Sequence, residues 1–160
     1  MDTHQFFIDI AKACAKQSSC MRRAWGAVIV EPLTRQIIST GYNGAPRNKD
    51  HCNEKEWCLR DELNIPAGAN YEYCFGVHAE QNALLQAGRS AQDCILYLYG
   101  EECATGIPIT APQPCFLCTK MLLNAGIDEV IIKVGSSFVS LDINILYETY
   151  SKELFKNYSK

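Results

Sequence analysis

The chain has 160 residues, of which 48% are hydrophobic and 21% charged, with a formal net charge of −3. That length and balance suit about one folded domain and exclude a disordered chain or a small disulfide scaffold. The slight acidity argues against a broad nucleic-acid surface, where a basic face is expected.

No apolar run approaches the roughly 20 residues needed to cross a bilayer, so no membrane association is expected. The start, Met1-Asp2-Thr3-His4-Gln5, lacks the basic lead of a signal peptide, and a cytoplasmic protein is expected. The nine cysteines are odd in number, and a reducing cytosol disfavours disulfides. Metal ligation, catalysis and simple burial are the uses left.

Residues 3–18 carry Phe6, Phe7, Ile10, Ala11 and Cys14 at helical spacing, with Asp2 or Thr3 able to cap the start. Trp25–Val30 and Gln36–Tyr42 are rich in β-branched and aromatic residues around a Pro-containing turn, which reads as a hairpin. Gly41-Tyr42-Asn43-Gly44 then reads as a turn. Residues 44–77 are polar and irregular, yet hold His51, Cys52, Cys58 and Cys74, so a metal staple is a sensible way to order them. A helix over about 78–88, a strand at Cys94–Tyr99, a helix led by Pro114 and ending at Gly126, a strand at Glu129–Val134 and a closing helix from Leu141 to about Phe155 complete the chain. This order implies a mixed sheet with helices on both faces, in one domain over residues 1–160.

The chemistry concentrates in His78-Ala79-Glu80 and Pro114-Cys115-Phe116-Leu117-Cys118. Cys115 and Cys118 stand at i and i+3 at a helix start, where both sulfurs can face one way and the helix N-terminus favours thiolates. Alone, C-x-x-C is shared by redox pairs and small zinc knuckles. Residues two apart on a regular helix diverge by about 200°, so His78 and Glu80 cannot both ligate one metal from it. With His78 at the helix entrance and Glu80 in the first turn, the imidazole can hold zinc while the carboxylate faces the adjacent water. Three protein ligands leave one position open, as in catalytic rather than structural zinc sites. A purely structural zinc gives no reason for Glu80, which is the expected catalytic acid–base.

The arrangement H-x-E…P-C-x-x-C is that of zinc-dependent base deaminases. With Gly26-Ala27-Val28-Ile29-Val30, Gly41-Tyr42-Asn43-Gly44, His78–Leu84 and Asn124-Ala125-Gly126-Ile127, the chain resembles the cytidine and deoxycytidylate deaminase superfamily over Ser19 to about Val134. Within it the deoxycytidylate (dCMP) deaminases are the nearest group, since free-nucleoside cytidine deaminases have Cys in place of His78. The resemblance implies a three-layer α/β/α cytidine deaminase-like fold with a mixed central sheet of about five strands. It implies zinc on His78, Cys115 and Cys118, proton transfer by Glu80, and hydrolysis of dCMP to dUMP and ammonia, feeding thymidylate synthesis. Ala79 would contact the pyrimidine and Asn43 the deoxyribose. It further implies a homo-oligomer, often a hexamer, with dCTP plus Mg²⁺ and dTTP as effectors. A second, structural zinc is expected on Cys20, Cys52, Cys58 and Cys74, with His51 as substitute for one of them. Cys14, Cys94 and Cys103 are assigned no chemistry.

Gly100–Thr110 departs from the simpler deaminases, which pass from the strand almost directly into Pro-Cys, and this insertion borders the site. Arg22, Arg23, Arg47 and Lys49 are candidates for a single phosphate, without distinguishing mono- from triphosphate. Two other readings stand beside the nucleotide enzyme: a nucleic-acid deaminase of the tRNA adenosine type, disfavoured by the net charge, and a non-catalytic zinc module acting through protein contacts.

Overall fold

The computed structural model describes residues 2–158, and the elements below are those of the described residues. Helix α1 (Thr3–Ala15) is capped by Asp2, whose carboxylate accepts from the His4 N–H at 2.8 Å. Strands β1 (Arg23–Val30) and β2 (Ile37–Tyr42) pair antiparallel. Single-turn helices α2 (Cys52–Lys55) and α3 (Leu59–Glu62) and a 3₁₀ turn at Tyr71–Tyr73 punctuate the long polar stretch. Then follow α4 (Ala79–Ala87), β3 (Ile95–Glu102), α5 (Phe116–Asn124), β4 (Glu129–Val134), β5 (Ser137–Asp142) and α6 (Ile143–Tyr158).

The five strands form one mixed sheet in the order β2-β1-β3-β4-β5, with β3 and β4 parallel and the other pairs antiparallel. Alternate residues of a strand point to opposite faces, which divides the core in two. Ala24, Val28 and Val30 meet Phe7, Ile8 and Ala11 of α1 on one side. Ala27 and Ile29 join Ala83 and Leu84 of α4 and Leu122 of α5 on the other. This is the expected three-layer α/β/α arrangement. At Gly26 a β-carbon would fall 1.9 Å from the Ala11 carbonyl oxygen, so α1 lies against β1 only because that residue has no side chain.

Four sequence expectations change. Gly41–Gly44 does not turn: β2 runs on in extended form, and Gly44 and Val77 exchange hydrogen bonds at 3.1 and 2.7 Å. The turn comes later, where the Lys49 N–H reaches the Pro46 carbonyl. β3 extends beyond Tyr99 because its ladder with β1 continues to Arg23↔Glu102. The closing helix starts at Ile143 rather than Leu141, because residues 137–142 form the edge strand β5. The first helix ends at Ala15, short of residue 18.

The Gly100–Thr110 insertion folds back on itself. Glu101 bridges Pro108, and the Ile109 N–H donates to the Gly100 carbonyl at 2.9 Å. No described helix is long and apolar enough to cross a membrane.

Candidate active site

Two helix N-termini meet at one end of the sheet. His78 is the N-cap of α4 with extended backbone (φ −72°, ψ 157°), and its N–H donates to the Gln81 side chain at 3.0 Å. Glu80 lies in the first turn. Cys115 is likewise the N-cap of α5 (φ −70°, ψ 169°), and Cys118 sits in that helix's first turn. The expected difference in placement between ligand and carboxylate is what the local backbone delivers.

The His78 Nδ1 atom stands 3.5 Å from Cys115 Sγ and 3.4 Å from Cys118 Sγ. A tetrahedral zinc with N and S ligands has an edge of about 3.6 Å, given Zn–N and Zn–S lengths of about 2.1 and 2.3 Å. Donor type and spacing both fit zinc. Among the described residues this trio is the His/Cys/Asp/Glu group whose ligand atoms all come within 4.8 Å of one another.

Electrostatics sharpen the picture. Glu80 is 4% exposed, and burial pushes its carboxyl up to about 7, against the opposing influence of His78. Its side chain is in hydrogen-bonding reach of Cys118. Cys118 donates to Cys115 and, with His78, holds the Cys115 thiol down to about 4. The same bond, reinforced by burial, pushes Cys118 far above the ordinary thiol range. A carboxyl poised near neutrality beside a thiolate is suited to moving protons.

A cavity of about 310 Å³ opens over the trio, lined by His78, Ala79, Glu80 and Cys115 together with Asn43, Tyr71 and Tyr150. Asn43 reaches this wall, but its amide is engaged with β1: the oxygen accepts from the Trp25 N–H at 2.8 Å and the nitrogen donates to the Arg23 carbonyl at 2.9 Å. Cys20, Cys52, Cys58 and Cys74 line the same cavity. Burial and then the charges of Cys20, Cys74 and Cys58 push the Cys52 thiol up, but among the described residues no three of these sulfurs lie within 4.8 Å of one another. Backbone N–H groups of Arg22 and Gly76 donate to the Cys20 and Cys74 sulfurs, each at 3.4 Å. His51 turns away, its Nδ1 hydrogen-bonded to Ser19 Oγ at 2.7 Å.

The expected cation cluster is dispersed. Arg22 pairs with Asp61 at 3.2 Å and Arg23 with Glu102 at 2.8 Å, both at the cavity rim. Arg47 and Lys49 are exposed and take no part in the lining.

Three contributors escape sequence reading. Arg60 is 6% exposed, donates to the Pro66 and Ala69 carbonyls at 2.7 Å each, and lies over the Tyr71 ring. Tyr71 in turn meets the His78 ring edge-on, with centroids 4.7 Å apart. Tyr150 arrives from α6, where burial pushes its phenol up to about 12 and keeps it a neutral donor. The only sequence signal for these was the irregular stretch itself, since Arg60 and Tyr71 lie in a segment without periodicity and Tyr150 on a helix with none of the motif residues.

Comparison with known proteins agrees with the site. The family model described as "Cytidine and deoxycytidylate deaminase zinc-binding region" matches residues 1–134. The chain is 36% identical over 141 residues to the deoxycytidylate deaminase of Schizosaccharomyces pombe, covering 88% of this chain and 40% of that protein. It therefore spans about two fifths of that relative's length. It is 32% identical over 135 residues to the deoxycytidylate deaminase of Mycobacterium phage D29, covering 81% and 93% of the two chains. The crystal structure of the dCMP deaminase of cyanophage S-TIM5 in apo form shares the fold, with a TM-score of 0.58 at 22% identity over 91% of this chain and 90% of that one. The chain belongs to the cytidine and deoxycytidylate deaminase family.

Proposed function

We propose that this chain hydrolyses dCMP to dUMP and ammonia in a zinc-dependent reaction at the His78/Cys115/Cys118 site, acting as one deaminase domain over residues 1–160. The observation that carries this reading is the convergence of one imidazole nitrogen and two thiols with a buried carboxyl on the adjoining helical turn. The relatives named as deoxycytidylate deaminases support the substrate.

His78 Nδ1 and the Cys115 and Cys118 sulfurs would hold the metal. Zinc held there would lower the pKa of a coordinated water towards neutrality. Glu80 takes a proton from the attacking water and delivers it to the ring nitrogen of the pyrimidine as oxygen adds to C4. Glu80 then takes the proton of the new C4 hydroxyl and passes it to the departing amine as the C4–N bond breaks and the C4 carbonyl forms, giving uracil and ammonia. Burial raises the Glu80 carboxyl towards the range where it can both accept and return a proton. The resemblance assigns the Ala79 backbone to the pyrimidine and Asn43 to the sugar, and both residues line the cavity.

By the resemblance, Cys20, Cys52, Cys58 and Cys74 are assigned to a second, structural zinc; they line one cavity, and backbone N–H groups donate to two of their sulfurs. The resemblance extends the proposal to a cytoplasmic homo-oligomer, hexamers included, with dCTP–Mg²⁺ and dTTP as effectors. Incubating the purified protein separately with dCMP, dCTP, deoxycytidine and a tRNA anticodon stem is the decisive test. Turnover of dCMP is expected. Turnover of the RNA without any monomeric nucleotide would overturn the reading, as would zinc binding with no deamination of any of the four.

A further inference from the structure

We propose that Tyr150, on the C-terminal helix, is a positioning residue that fixes the segment Gln113–Phe116 and thereby the place of the Cys115 sulfur. Its contacts converge on the residues that flank Cys115. The Tyr150 hydroxyl donates to the Pro114 carbonyl at 2.8 Å and accepts from Gln113 Nε2 at 3.1 Å. Its ring packs on Phe116 with centroids 5.5 Å apart. One half-buried phenol thus uses both its donor and its acceptor roles on the two residues before the thiol and its face on the residue after it.

The segment needs such a tie. Residues 111–114 have no regular secondary structure, and Cys115 is an extended N-cap tied to α5 only through its carbonyl, which accepts from the Thr119 N–H at 2.8 Å and Thr119 Oγ1 at 2.9 Å. Cys118, by contrast, is held by the helix it sits in. Packing of α6 on α5 does not require the hydroxyl, because the Tyr147 ring also packs on Phe116, with centroids 5.6 Å apart. The hydroxyl therefore serves the approach to Cys115 rather than the helix contact. Tyr150 also lies beyond residues 1–134, the part the family model matches, so this tie is supplied by the chain's own C-terminal helix.

The proposal rests on the reading of Cys115 as a metal ligand, and cobalt substitution of the full chain separates the two. The wild-type protein is expected to show the d–d bands of a tetrahedral site and thiolate-to-cobalt charge transfer. Tyr150→Phe, which keeps the ring and removes the hydroxyl, is expected to shift and weaken those bands and to lower zinc affinity about tenfold or more, as groups that hold metal ligands do. Gln113→Met should move the spectrum in the same direction by less. Tyr147→Leu should lose thermal stability while keeping the cobalt spectrum. A Tyr150→Phe protein with wild-type spectrum and zinc affinity would overturn the proposal and leave the metal reading intact. So would an equal spectral shift in Tyr147→Leu. A wild-type protein without the tetrahedral spectrum would overturn both.

Discussion

Gly41 on β2 lies so close to α4 that a β-carbon there would stand 2.1 Å from the Ala79 carbonyl oxygen and 2.5 Å from the Ala83 amide nitrogen. The helix that begins at Ala79 carries His78 at its cap and Glu80 in its first turn. The distance between sheet and helix therefore sets where imidazole and carboxyl stand. Backbone atoms cannot step aside as a flexible side chain would. Gly41→Ala is expected to lower stability by about 1–3 kcal/mol, the usual cost of forcing extra volume into a packed layer. Chemical denaturation measures it, and zinc content should fall as α4 is pushed outward. An unchanged denaturation midpoint would mean that the helix is free to retreat.

Glu80 is the group whose loss should separate metal from chemistry. Its carboxyl belongs to the site without being one of the three clustered ligand atoms. Glu80→Gln keeps the volume of the buried side chain but can neither take nor return a proton. The expected outcome is full zinc occupancy with a fall of at least about a hundredfold in kcat, the common scale for a positioned acid–base. Metal analysis and steady-state deamination on the same preparation check both halves. Activity within a few-fold of wild type would remove Glu80 from the proposed proton path.

The architecture and the trio were legible because each depends on local rules. Helical spacing, β-branched runs and the helix-start positions of His78 and Cys115 are all written within a few neighbouring residues. Edge strand β5 was missed although its signal was present. Gly135-Ser136 is a two-residue connection between β4 and β5, with Gly135 at φ +61°. By sequence, residues 135–140 receive no element, and Leu141 and Asp142 are placed in the following helix. Gly41 was read as a turn because glycine in a sequence does not say whether it serves curvature or close packing. Arg22 and Arg23 looked like a phosphate pair because their partners, Asp61 and Glu102, are distant in sequence. Tyr71 and Tyr150 were invisible for the same reason: what they do is decided by tertiary contact.

The other cysteines that line the cavity make a counting prediction. If Cys20, Cys52, Cys58 and Cys74 hold a closed structural zinc, dialysed protein carries about two zinc ions per chain. Replacing Cys52 and Cys58 with Ser should bring this to about one while the catalytic site stays loaded. Because those thiols line the cavity proposed to take the substrate, the double variant should also lose thermal stability and raise KM. Elemental analysis by mass spectrometry gives the count. About two zinc ions in the double variant would show that the second site lies elsewhere. About one in the wild type would remove it.

Arg60 is the buried cation of the site, and its contacts predict a role in holding the cavity closed. Its guanidinium joins two carbonyls three residues apart, Pro66 and Ala69, and stacks at 4.4 Å over Tyr71, which supports the His78 ring. Among the described residues its Nε is the one buried side-chain nitrogen or oxygen without a hydrogen-bond partner, so the fit is bought at the cost of one orphaned donor. Arg60→Met would remove that orphan and keep packing on the ring, but release both carbonyls. The two charge-assisted bonds outweigh the orphan, and a net loss of about 2 kcal/mol is expected. Arg60→Lys keeps the charge but lacks the planar fork that reaches two acceptors, so it should fail to restore the loss. Loosening residues 64–71 exposes that segment to limited proteolysis and should raise KM for dCMP more than it lowers kcat, since Tyr71 would no longer be pressed against His78. Unchanged proteolysis and KM in Arg60→Met would show that the loop is held without the guanidinium.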